Sequence, residues 1–140
     1  AHNNLGLALA KQGKWHEAIR QFERALELNP DYAEAGCNLA WLLATCSESQ
    51  FRDPAEALRL AQLARELTQS RDAEVLDTLA AALAAGGDFV QAVATAKEAL
   101  ALATAAGKER LAREIERRLA LYQAGQPFCE PPPDGRQKKP

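Results

Sequence analysis

Apolar positions along this chain recur three and four residues apart, and the whole pattern then starts again. The segments "NLGLALAKQGKWHEAIRQFERALELNP" from Asn4, "NLAWLLA…DPAEALRLAQLARELTQ" from Asn38 and "TLAAALAAGGDFVQAVATAKEALALAT" from Thr78 align with one another. Leu5, Leu39 and Leu79 correspond, and Leu9, Leu43 and Leu83 follow four residues later on the same helix face. Ala18, Ala57 and Ala92 match, as do Ala25, Ala64 and Ala99 seven residues further on. The small residues Gly6, Ala40 and Ala80 stand where two helices must approach closely, and Phe22 is the bulkiest filler between them. No alternating β-branched run is present, so strands are not expected. The pattern predicts an all-α fold of three antiparallel helix pairs. One pair cannot bury its apolar face alone, so the pairs must stack.

Turn chemistry sets the boundaries. Gly13 and the Gly86–Gly87 pair break the chain between paired helices, and Pro30-Asp31 separates the first two units. Asp53-Pro54 reads as a helix cap followed by the first helical residue, with Glu56 completing a capping box; Asp88 and Gln91 repeat the device. The spacing from Leu5 to Leu39 is 34 residues, but from Leu39 to Leu79 it is 40. The excess falls in "CSESQFRD", a long polar turn inside the second pair, in which Phe51 is expected to tuck onto the neighbouring helices. After Leu102 a stripe of Leu111, Ile115, Leu119 and Tyr122 predicts one amphipathic capping helix, closed by Gly125, with its charges turned to solvent. The expected organisation is a single domain over residues 1–124, with repeats at about 1–32, 33–70 and 73–105 and the capping helix at about 108–124. The Pro-rich residues 125–140 lack core residues and are expected to be extended or disordered.

The first unit resembles a near-consensus tetratricopeptide repeat, with Leu5, Gly6, Leu9, Ala18, Phe22, Ala25 and Pro30 at the signature positions. His2 stands where a bulky apolar residue is usual. The second and third units are degenerate: Ala61 and Ala96 replace an aromatic, and the closing Pro is missing. The resemblance covers about residues 1–105, and the run from Asn38 onward is similar to the terminal repeats of many bacterial tetratricopeptide proteins. It implies a helical solenoid that scaffolds a protein or peptide partner in a groove lined by the first helix of each pair. The groove positions it implies are Asn3, Asn4, Leu7 and Lys11 in the first unit, Cys37, Asn38, Trp41 and Thr45 in the second, and Asp77, Thr78 and Ala81 in the third.

Two residue types in that set suggest how a partner would be held. Asn4 and Asn38 precede the repeat leucine in register, like the asparagine ladder that holds peptide backbone in the O-GlcNAc transferase family; an amide can both donate and accept. Thr78 interrupts the ladder. Trp41 is an anchor-type side chain, whereas Trp15 opens the second helix of its pair, where the family packs a Tyr. The Lys and Asn clamp by which some tetratricopeptide domains grip acidic chaperone tails is absent: of its positions only Asn38 matches, and Asp77 carries the wrong sign.

Composition narrows the function further. Net charge is −2, and the terminal "DGRQKKP" is itself basic, so the body is mildly acidic and lacks the basic stripe that nucleic acid requires. No apolar run is long enough for a membrane span, and no targeting signal is visible. Cys37 and Cys46 lie about 13 Å apart on one expected helix at 1.5 Å per residue, too far for a disulfide. No Cys or His spacing suits a metal, and no catalytic constellation or cofactor motif is found. Reduced thiols fit a cytoplasmic setting. The chain opens inside a helical pattern without an initiator Met, which reads as a fragment of something longer. Three readings follow: a non-catalytic interaction scaffold, the substrate-holding terminal repeats of a larger enzyme such as a glycosyltransferase, or a weak homo-oligomer that associates through its exposed first helix.

Overall fold

The structure, a computed structural model, describes residues 2–131. The basic end at Arg136, Lys138 and Lys139 lies outside the described residues. Seven α-helices follow one another among them: α1 (His2–Lys11), α2 (Trp15–Leu28), α3 (Ala33–Thr45), α4 (Pro54–Leu67), α5 (Ala73–Ala85), α6 (Phe89–Ala105) and α7 (Glu109–Gln123). They pack as the antiparallel pairs α1–α2, α3–α4 and α5–α6, with α7 against α6 and each pair against the next. The chain is an all-α helical solenoid.

Local chemistry explains the helix starts in the later units. Asp53, Asp72 and Asp88 each accept a backbone N–H from the first turn of α4, α5 and α6. Each such cap is worth about 1 kcal/mol. At Asp53 the box is half made. Its own N–H goes to the Leu43 carbonyl, while Glu56 turns away to a two-point contact with Arg59. At the far end, Gly125 takes the left-handed backbone at φ 74° and lets Gln126 N–H bond back to the Leu121 carbonyl, stopping α7.

The close-approach positions use two solutions to one packing problem. A methyl group added at Gly6 would sit 2.7 Å from the Phe22 ring, so the first pair combines no side chain with a large one. The aligned residues are Ala40 with Ala61 and Ala80 with Ala96, all fully buried. Small residues at both positions thus take the place of the glycine and phenylalanine of the first pair.

The long turn of the second pair is ordered at both ends. Cys46 caps α3, a 3-10 turn spans Ser49–Phe51, and the half-buried Phe51 ring packs against the core as the sequence suggests. Glu48 accepts from the Trp15 indole at 3.0 Å, tying the turn to α2.

Candidate functional site

A groove of about 1210 Å³ runs along the first helices of successive units, with walls from α1, α3, α5 and α7. An inter-helix polar seam forms its floor. Asn38 Nδ2 donates to Asn3 Oδ1 at 2.9 Å, and Cys37 Sγ donates to Thr78 Oγ1 at 3.2 Å. Arg118 donates to both Asp77 oxygens, at 3.1 and 2.7 Å. The partners lie 35, 41 and 41 residues apart. Each separation is one repeat spacing plus one residue. The residue two before a repeat leucine therefore bonds the residue one before the next repeat leucine. On that count Arg118 precedes Leu119 as Asn38 precedes Leu39, so α7 stands in register as a fourth first-helix.

The last rung is ionic and buried. Arg118 is 8% exposed, and α7 turns it inward although it lies beside its apolar stripe. This corrects the expectation that the charges of α7 all face solvent: a carboxylate on α5 supplies the compensation that burial of a guanidinium needs. Burial pushes the Asp77 carboxyl above its ordinary value, and the Arg118 guanidinium pulls it part of the way back. Burial likewise pushes the Cys37 thiol up to about 11. The Tyr122 hydroxyl is raised by burial and then by Asp77, and it is buried without a hydrogen-bond partner among the described residues.

Arg118 also has an aromatic face. Its guanidinium carbon lies 5.0 Å from the Trp41 ring centre and 5.1 Å from that of Phe128, within cation–π range. The two rings are 5.8 Å apart at 41°. Phe128 belongs to the segment after α7, which crosses the groove. Glu130 N–H donates to the Thr45 carbonyl at 2.7 Å, and Trp41 Nε1 donates to the Glu130 carboxylate at 2.8 Å. Thr45 is the last residue of α3, so its carbonyl is one of those a helix end leaves without an intrahelical donor. Arg52, from the long turn, donates to Cys129 Sγ. The tail residues Phe128 to Glu130 are thus held on the floor although they form no regular secondary structure.

The groove positions expected from the sequence separate into three sets. Leu7, Lys11, Cys37, Asn38, Trp41, Asp77 and Thr78 line the groove or the smaller hollow beside it. Thr45 also lines the smaller hollow but offers only its carbonyl, since its hydroxyl is spent on the Trp41 carbonyl. Asn3 and Ala81 are buried, and Asn4 is exposed away from the lining. The in-register amides do not form a free ladder. Asn38 is committed to Asn3, because the seam pairs offset positions rather than equal ones. Arg118, Phe128 and Glu130 were missed by the sequence reading. The signals that point to them are Asp77, the one acid in the apolar run "VLDTLAAALAA", the repeat spacing counted onward from it, and the single aromatic in the Pro-rich tail.

The thiols of Cys37, Cys46 and Cys129 are free, and among the described residues no group of three or more His, Cys, Asp or Glu side chains is placed to hold a metal ion. No helix among them is long and apolar enough to cross a membrane. The family model for the tetratricopeptide repeat matches residues 1–32. The chain carries a tetratricopeptide repeat. Such repeats form a non-catalytic fold that mediates protein–protein interaction. No curated protein matches the chain.

Proposed function

We propose that this tetratricopeptide chain is a non-catalytic scaffold that holds a protein or peptide segment in the groove along α1, α3, α5 and α7. The observation that carries the reading is that the groove accommodates extended chain, since residues 128–130 lie in it by a ring contact, a backbone hydrogen bond and a carboxylate contact. Trp41 takes part in two of the three, which suits an anchor at the centre of a recognition surface. Panning a displayed peptide library against the wild type and Trp41→Ala tests it, with circular dichroism confirming that the variant is folded. Enrichment on the wild type that disappears with Trp41→Ala is expected. Equal enrichment on both proteins would remove the groove as the binding site.

A further inference from the structure

We infer that the groove selects extended peptides bearing an aromatic residue followed, two positions later, by a carboxylate, and that Phe128-Cys129-Glu130 is a built-in copy of that motif. The inference deepens the scaffold reading and rests on it.

Three contacts read the motif, and Trp41 makes two of them. The ring position is defined by two surfaces, the Trp41 indole and the Arg118 guanidinium. Asp77 fixes that guanidinium in place with two hydrogen bonds. A cation held within about 6 Å of a ring centre favours a π face over an aliphatic side chain of equal size. The backbone position is defined by the Thr45 carbonyl, which accepts from any residue except proline. The carboxylate position is defined by Trp41 Nε1–H, a donor only. The middle side chain, Cys129, is exposed and meets the Arg52 donor in an exposed contact, so it is the least restricted of the three. Rings and acids are therefore specified at a spacing of two, as an extended strand would present them to one side.

The tail does not use the whole surface. Glu130 and Pro131 line both the 1210 Å³ groove and a second, more apolar hollow of about 370 Å³ on the α1 side, so the tail runs as a divider between them. Beyond the tail contacts the larger groove is lined by Glu34, Asp72, Glu74 and Glu114, with Arg117 as the exposed cation among them. A partner longer than the tail, with a lysine or arginine flanking the motif, gains contacts that the tail leaves unmade. The tail is the weaker ligand but is tethered, and its effective concentration of about millimolar order lets it hold the site until such a partner arrives.

The test uses the full chain with Phe128→Ala and Glu130→Ala, both on the surface segment, and a fluorescent peptide GQPFSEPP. Anisotropy should show this peptide binding the double variant at least about tenfold more tightly than the wild type, because the occluded fraction is released. GQPASQPP should bind neither protein, and adding Trp41→Ala to the double variant should abolish binding of the first peptide. If the double variant binds both peptides equally, or binds neither while the library panning still enriches unrelated sequences, the motif is wrong although the groove reading stands. If neither peptide binds and panning also fails to distinguish Trp41→Ala, both readings fall. A wild-type dimer in sedimentation that the double variant loses would make a second copy the occupant and overturn the proposal.

Discussion

Helices α1 and α5 occupy the same place in their repeats and read almost alike, yet they live in different surroundings. Leu5 is 48% exposed, whereas its counterparts Leu39 and Leu79 are each 2% exposed. Ten of the thirteen residues of α5 are buried, against two of the ten in α1. Helix α5 packs on α3, α4 and α6, while the main contact of α1 is with α2. Equivalent letters therefore carry unequal energies. In a repeat array the interface between units sets the stability, and a residue's value depends on how many interfaces its helix belongs to.

The largest test of that difference is at the seam. Asp77→Ala removes both hydrogen bonds of the buried Arg118 guanidinium, leaving it the more distant Glu114 carboxylate at 3.9 Å, and should cost about 3–5 kcal/mol. Asn3→Ala, the same position in the first unit, loses one neutral hydrogen bond and should cost about 1 kcal/mol. Urea unfolding of the two variants decides it, and equal losses would break the comparison. Next come the leucines: Leu79→Ala should destabilise by about 2–5 kcal/mol, and Leu5→Ala by well under half of that. Gly6→Ala follows, at about 1–3 kcal/mol, because the new methyl meets the Phe22 ring. Thermal melts should show Phe22→Leu relieving part of that strain in the double variant, a coupling that Ala80 and Ala96 do not have to solve. The smallest effect is kinetic. With its pKa moved from 9.0 to about 11, Cys37 holds about 100-fold less thiolate than an unperturbed thiol at pH 8. Iodoacetamide followed by peptide mapping should therefore modify the exposed Cys129 well before Cys37. Comparable rates would mean that the rung between Cys37 and Thr78 opens readily.

Much of the fold could be read from the chain because its determinants are local. A cap such as Asp88 acts on an N–H three residues away, and the stacking of small residues at positions 40 and 80 shows in the alignment itself. Phe51 could be placed because an aromatic in a polar turn has few alternatives to the core. The site was harder. The offset that pairs Asn3 with Asn38 is invisible when residues are aligned in register, since the alignment invites comparison of Asn4 with Asn38. Arg118 sits on a helix whose charge pattern looks fully solvated, and its partner is 41 residues distant. Phe128 belongs to a segment whose composition argues against packing, and only the geometry of α7 and its terminating glycine aims it across the floor.

The six residues Ser47 to Arg52 have a consequence beyond lengthening a turn. Through Glu48 they reach Trp15 on the preceding unit, and through Arg52 they reach Cys129 on the segment lying in the groove. A turn trimmed to the length of its neighbours would lose both tethers while leaving every lining residue of α3 and α5 unchanged. Loop length thereby becomes a dial on groove occupancy. Insertions and deletions at this one point could retune how firmly the molecule holds its own end, and hence what it accepts from outside, without a single substitution on the recognition surface.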